Sequence, residues 1–275
     1  QETTPMHWQD ATETLLAPLL NTARLGIITD FDGTLSQIVD DPDAAQISPG
    51  SKAALATLQR ELALLAVVSG RGAAAIHQKT GLDGVVYVGN HGMERWVDGA
   101  VRVPDQVAAY RPKLEAVLAA LENVDEPGMR VEDKGATASV HYRQTIDPGA
   151  AAERLRAVLG PLTAEHDIAL HTGKMIFELR PPIDTDKGTA FRALVDEFEL
   201  SAALFLGDDV TDASALQVAR ELRENGDTYA VGIGVQHPDD TPQLVLDASD
   251  VLADGVDDVT AFLEWLSNAL SASSI

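Results

Sequence analysis

The chain has 275 residues, 45% of them apolar, which is enough for one large domain or two modest ones around a sizeable core. Its 43 acidic against 20 basic residues leave a formal net charge of −23, and such a surface repels nucleic acid and anionic membrane, so neither is expected as a partner. The absence of cysteine excludes disulfides, thiolate nucleophiles and zinc–thiolate sites, no apolar stretch approaches the roughly 20 residues of a membrane span, and Gln1 to Asp10 lacks the basic and apolar regions of a signal peptide, so a cytoplasmic monomer is expected.

Residues 8–23 read as a short amphipathic helix, with Leu15, Leu16, Leu19 and Leu20 on one side. An apolar run from Leu25 to Ile28 follows, the pattern of a buried strand, and it ends in Asp30-Phe31-Asp32-Gly33-Thr34-Leu35. Unpaired carboxylates are costly inside a strand. At its end, a rigid sheet can hold them while they still meet solvent and ligand, and Gly33 lets the chain turn. Two close carboxylates repel, so a positive partner is expected. A hard divalent cation such as Mg2+ suits oxygen ligands and leaves room for phosphate. Asp30 and Asp32 are therefore candidates for a metal-assisted carboxylate nucleophile. A strand followed by an acidic turn is the alternative, and Asp-x-Asp-Gly alone does not choose between them.

Asp40 to Pro49 reads as an acidic loop, and Ser48-Pro49 opens a helix with Leu55, Leu58 and Leu62 on its apolar face. Leu62 to Val68 is a second buried strand, ending in Ser69-Gly70-Arg71. Val85 to Val88 is a third, ending in Gly89-Asn90-His91-Gly92. Ala203 to Leu206 is a fourth, ending in Gly207-Asp208-Asp209, and Tyr229 to Val231 a fifth. Strands apolar on both faces and alternating with helices imply a parallel sheet covered by helices. Ligands bind such sheets at the carboxyl ends of the strands. Four polar strand ends together argue for a site there.

Residues 103–182 break this pattern. Pro104 to Leu121 and residues 148–160 read as helices; Met129 to Glu132 with Thr137 to Tyr142, and Ile168 to His171 with Met175 to Leu179, read as hairpins. An antiparallel α+β unit is thus inserted within the sheet domain, which occupies residues 1–102 and 183–275. After it, Asp186-Lys187-Gly188 opens a helix. A lysine opposes the dipole at a helix start, which makes sense if Lys187 faces an anion. The chain has six lysines, and Lys134, Lys174 and Lys187 all lie at predicted loop ends.

Four separated elements resemble, in order, the motifs of haloacid-dehalogenase-type phosphatases: Asp30 to Leu35, Ser69-Gly70-Arg71, Lys187, and Gly207-Asp208-Asp209-Val210-Thr211-Asp212. Within that superfamily the chain resembles the trehalose-6-phosphate phosphatase family over residues 25–260. Gly89 to Glu94, Glu132-Asp133-Lys134 with Val140 to Arg143, and Gly173-Lys174 with Glu178 to Pro181 carry the narrower likeness. Ala213 departs from it, standing where the family commonly has an acidic residue. The resemblance implies an α/β fold, a Rossmann-like parallel sheet core with an inserted α+β cap of the C2 type. It also implies Mg2+-dependent hydrolysis of trehalose 6-phosphate, with Asp30 as nucleophile and Asp32 as general acid and base. Mg2+ would be held by Asp30, the backbone carbonyl of Asp32, and Asp208. Asp209 and Asp212 would orient its water shell and Lys187. Ser69 and Lys187 would neutralise the phosphate oxygens, and further substrate contacts are implied for Gly70, Arg71, Asn90, His91 and Glu94. In the cap, Glu132, Lys134 and Glu178 would hold the distal sugar, with Arg143 and Lys174 as further candidates. Sucrose-phosphate and mannosyl-phosphoglycerate phosphatases share the catalytic residues and stay open as alternatives. A receiver-like module that is phosphorylated without turnover is the rival from a different class.

Overall fold

The computed structural model describes residues 5–39, 41–238 and 241–273. Asp40, at the head of the predicted acidic loop, and the first four residues lie outside them. The chain divides into two compact units: Gln1–Val101 with Thr185–Ile275, and Arg102–Asp184.

In the first unit, the described residues form a nine-stranded sheet in the order β1-β13-β12-β11-β2-β3-β4-β5-β6. In chain order the strands are β1 (Met6–His7), β2 (Leu25–Thr29), β3 (Leu64–Val68), β4 (Val86–Gly89), β5 (Glu94–Val97), β6 (Ala100–Arg102), β11 (Ala202–Gly207), β12 (Tyr229–Gln236) and β13 (Val251–Asp254). β1 to β4 and β11 to β13 pair in parallel, and β5 is antiparallel to β4. Every residue of β2, β3 and β11 is buried, because helices cover both faces. On one face, α1 (Pro49–Leu58), α2 (Ala73–Thr80) and α9 (Gly255–Ser273) contribute Leu55, Ile76 and Phe262 to a cluster with Ile27 and Leu204. On the other, α6 (Lys187–Glu197), α7 (Ala213–Asn225) and α8 (Gln243–Ala248) contribute Phe191, Leu216 and Val245, packed on Ile28 and Phe205. Each such apolar side chain taken from water contributes about 1.5–3 kcal/mol.

Three regions of this unit differ from the sequence expectation. Residues 8–23 are not one helix. They form two 3-10 turns, Trp8–Ala11 and Ala17–Asn21. Thr12 and Thr14 turn their hydroxyls onto the carbonyls of Gln9 and Ala11, and Pro18 cannot donate to a continuing helix. Trp8 is the anchor, donating from Nε1 to Asp258 Oδ2 at 3.0 Å. The fifth strand runs five residues past Val231. Gly232 and Gly234 weaken its apolar pattern, yet Gly234 is required, because a Cβ there would lie 2.0 Å from Ser249 Oγ. Finally, β5 and β6 extend the sheet with short, half-exposed strands that lack an apolar run.

The second unit holds α3 (Asp105–Ala108), α4 (Arg111–Leu121), β7 (Arg130–Asp133), β8 (Ala138–His141), α5 (Pro148–Glu165), β9 (Ala169–Gly173) and β10 (Ile176–Arg180). Its four strands form an antiparallel sheet in the order β7-β8-β10-β9. Leu114, Val117, Leu155 and Leu159 of α4 and α5 pack on Ala138, Val140, Phe177 and Leu179, leaving the alternate strand residues for the opposite face. The predicted helix from 104 to 121 is broken into α3 and α4, and Pro112 occupies the first turn of α4. Among the described residues, no helix is long and apolar enough to cross a membrane.

Candidate active site

β2 lies between β11 and β3, at the point where the order of the sheet reverses along the chain. The backbone carries the site out of this register. Asp30 N donates to Leu206 O at 2.8 Å, so the residue after β2 sits beside the end of β11, where Asp208 follows. Lys187 begins α6, whose N-cap is Asp186 in a capping box with Thr189. Its Nζ lies 2.8 Å from Asp30 Oδ1 and donates to Asp212 Oδ1 at 2.7 Å. Asp212 Oδ2 in turn accepts from the backbone N–H groups of Asp208 and Asp209 at 3.2 and 3.0 Å. Asp212 thus orients Lys187 and pins the loop that presents Asp208. Gly33 closes the turn after Asp32 at φ 75°, and a Cβ there would lie 2.0 Å from Asp208 Oδ2.

Asp30, Asp208 and Asp212 are all buried, and each brings a carboxylate oxygen within 4.8 Å of the others. Burial raises the pKa of Asp30, and the Asp212 and Asp32 charges add to this against the opposing Lys187. Burial pushes Asp208 up to about 6, opposed by a hydrogen bond from His237. Asp212 is raised by burial in spite of Lys187. For Lys187, burial favours the neutral form, but Asp212 and Asp30 outweigh it and raise the pKa. Three buried carboxylates thus face one ammonium, and the pocket is short of positive charge. An oxygen-only donor set with unmet negative charge fits a hard divalent cation. The carboxylate of Asp32 lies outside this cluster; the Asp212 carboxylate lies within it.

Asp32 occupies a different environment. Its side chain is 40% exposed, against 6% for Asp30. Arg71 grips it with two hydrogen bonds, Nε to Oδ2 at 2.6 Å and Nη2 to Oδ1 at 2.7 Å. The structure therefore commits the Arg71 guanidinium to Asp32 rather than presenting it toward substrate alone. Ser69 Oγ accepts from Arg71 N at 3.2 Å, shaping the turn after β3. Backbone bonds from Asn90 N to Arg71 O and from His91 N to Ser69 O lock the ends of β3 and β4 together. Asn90 and His91 are buried with φ of 49° and 56°, a strained left-handed pair that holds this loop against Gly70. Glu94, expected near substrate, is buried in β5 and accepts from Ala73 N at 2.7 Å, satisfying the start of α2. Asp209 is exposed at the loop tip.

In the inserted unit, strand register places Glu132 and Glu178 on the same face, flanking Ser139, with His171 beyond Glu178. Glu132 accepts from His141 Nε2 at 2.9 Å, and this bond holds its carboxyl below the ordinary range. Glu178 pairs with Arg180. Lys134 follows β7 in the β7–β8 turn, whereas Lys174 lies in the β9–β10 turn, at the other end of the sheet, where Arg143 is exposed after β8. The two hairpin lysines are therefore not brought together.

One residue of the site is absent from the sequence reading. His237 follows β12, with Nε2 3.0 Å from Gly33 O and 3.4 Å from Asp208 Oδ2. Ending the fifth strand at Val231 hid it; the apolar Ile233 and Val235 beyond the glycines are the signal that would have placed it at a strand end.

A sequence model described as trehalose-phosphatase matches residues 28–242. The chain belongs to the trehalose-phosphatase family. Trehalose-phosphate phosphatases of Mycobacterium tuberculosis and Mycobacterium bovis are each 38% identical over 243 residues, 84% of this chain and 59% of theirs. The chain thus spans well under two thirds of the length of these relatives. Among solved structures, the C-terminal domain of Candida albicans trehalose-6-phosphate phosphatase superimposes with a TM-score of 0.76 at 22% identity, covering 98% of this chain and 99% of that one. A trehalose-6-phosphate phosphatase related protein does so with a TM-score of 0.75 at 21% identity, covering 91% of this chain and all of the other. Family membership thus rests on the sequence match, and the structural likeness shows a shared fold.

Proposed function

We propose that this chain hydrolyses trehalose 6-phosphate to trehalose and phosphate, with Mg2+, through an aspartyl-phosphate on Asp30. The observation that carries this reading is the buried Asp30–Lys187–Asp212 array at the switch point, in a member of the trehalose-phosphatase family. Asp30, Asp208 and Asp212, with the Asp32 carbonyl, would hold the cation, which when bound supplies charge neutralisation to the phosphoryl oxygens.

A carboxylate oxygen of Asp30 forms a bond to phosphorus as the bond to the sugar oxygen breaks. Asp32 gives the departing alkoxide its proton. It then takes a proton from the water that attacks the aspartyl-phosphate, releasing phosphate and restoring Asp30. The more exposed setting of Asp32 suits exchange of protons with substrate and water. The Arg71 fork takes one lone pair on each of its oxygens, so a second lone pair on each stays open for the transferred proton. Lys187 and Ser69 stabilise the charge on the transferring group, the main demand of phosphoryl transfer. Sugar selectivity is assigned to the inserted unit, where Glu132 and Glu178 lie on one face and can each hold several hydroxyls.

Phosphate release from trehalose 6-phosphate, sucrose 6-phosphate, glucose 6-phosphate and an aryl phosphate, each with Mg2+, tests the reading. A strong preference for trehalose 6-phosphate, abolished by Asp30→Asn, supports it. Preference for another sugar phosphate would discard the substrate, and no release from any would discard the chemistry.

A further inference from the structure

His237 stands outside every motif that led to the site, yet it touches two of its parts. Its Nε2 is 3.0 Å from the Gly33 carbonyl oxygen. A carbonyl only accepts, so Nε2 carries the proton, which can also be shared with Asp208 Oδ2 at 3.4 Å. The other oxygen of Asp208, Oδ1, accepts from Thr34 Oγ1 at 3.3 Å. The Asp208 carboxylate is therefore clasped between a hydroxyl of the β2 turn and an imidazole arriving from β12.

The imidazole comes from a fixed base. His237 N donates to Thr241 Oγ1 at 2.7 Å, and that hydroxyl donates back to His237 O at 2.9 Å. The side chain is 18% exposed and forms a wall of an open cleft shared with Gln236, Thr241 and Asp254. The turn it grips has no slack. With Gly33 so near Asp208 that a Cβ would overlap the carboxylate, any drift of the turn changes where Asp208 points.

We propose that His237 is a positioning residue of the candidate metal centre: its Nε2–H ties the Gly33 turn to β12 and holds the Asp208 carboxylate in the orientation that lets it share a cation with Asp30 and Asp212. The proposal rests on the metal reading of the acidic cluster. His237 touches no reacting atom; it acts through Asp208 and Gly33.

The test measures cation affinity directly, by Mg2+ titration calorimetry and by Mn2+ paramagnetic resonance, on the wild type, His237→Ala and His237→Gln. Thermal melts in chelator accompany them. His237→Ala is expected to weaken cation binding about tenfold, the loss typical when a group orienting a metal ligand is removed. Its metal-free melting temperature falls by no more than the few degrees that one lost hydrogen bond accounts for. His237→Gln, which keeps an N–H donor, restores affinity to within about threefold of the wild type. In turnover, the Mg2+ concentration for half-maximal rate rises. Cation binding by His237→Ala equal to the wild type would overturn the role of His237 alone. So would a His237→Gln variant as weak as alanine with an equal fall in metal-free melting temperature, which marks a role in folding. No cation binding by the wild type would overturn this proposal together with the metal reading.

Discussion

Lys187 Nζ sits 2.8 Å from Asp30 Oδ1 and 2.7 Å from Asp212 Oδ1, an ammonium 3% exposed that joins the first residue of α6 to the ends of β2 and β11. The pairing spans more than 150 residues of sequence and joins both halves of the core unit. Removing the lysine would leave buried carboxylates with no countercharge. Lys187→Ala is therefore expected to lower unfolding free energy by about 3–5 kcal/mol, the usual cost of breaking one side of a buried ion pair. Urea denaturation of the metal-free protein checks this, and phosphate release should fall with it. A variant as stable as the wild type would show that the carboxylates simply take up protons.

Asp30→Asn separates function from stability. The substitution keeps the shape of the side chain and removes one of three crowded negative charges. Turnover should vanish, because an amide is no nucleophile toward phosphorus. The metal-free melting temperature should be equal to that of the wild type or higher. A large fall would mean that Asp30 serves the fold through its pairing with Lys187 more than it strains it.

The inserted unit carries a pH dependence of its own. Partial desolvation of this largely exposed imidazole against the inserted sheet, with Arg180 adding, lowers the pKa of His171 modestly from its ordinary 6.5. The unfolded chain then binds more protons in the window below 6.5. The stability this group contributes is present above 6.5 and is lost as pH falls through the folded value. Melting temperatures followed from pH about 7.5 to about 5 should fall less for His171→Gln than for the wild type. Parallel curves would place the imidazole fully in solvent.

Glu178→Ala should weaken turnover of the disaccharide phosphate far more than turnover of a small aryl phosphate, because the carboxylate belongs to the inserted sheet and to none of the elements that carry the Asp30 cluster. Comparing kcat/KM for the two substrates decides it. Equal losses on both would remove the inserted unit from substrate selection.

Gly89→Ala tests the packing that holds the third strand end. A Cβ at this position would lie 2.2 Å from Ala73 N and 2.9 Å from Arg71 O, both backbone atoms that cannot swing aside. A loss of about 1–3 kcal/mol is expected from such overpacking. Full retention of stability in denaturant titration would show that the β4–α2 junction can open.

The strand ends that frame the site were legible because β2, β3 and β11 are covered on both faces. Burial on both faces demands an unbroken apolar run, so a polar residue marks where the strand leaves the core. That logic failed where burial is achieved by glycine. Gly232 and Gly234 let α7 and α8 press on β12, so the strand read as ending early and His237 went unseen. It failed again at residues 8–23, where Leu16 and Leu19 are buried from a short 3-10 turn and its N-cap rather than along one helical face. Hydrophobic spacing records that a residue is buried, and it does not record the backbone that buries it.

The sequence by itself determined the class of the fold, the family, and the residue types offered to the site. Each follows from local constraints: doubly covered strands, helix starts and short acidic loops are written in adjacent residues. Only the tertiary structure decided which charges meet. Arg71 reaches Asp32 rather than standing apart from it, Asp212 joins Asp30 and Asp208 in one cluster, Glu94 satisfies the start of α2, and Lys134 and Lys174 part to opposite ends of a sheet. These pairings depend on strand order, register and the last few ångströms of side-chain reach. They are properties of chain segments far apart in sequence, and no local pattern encodes them.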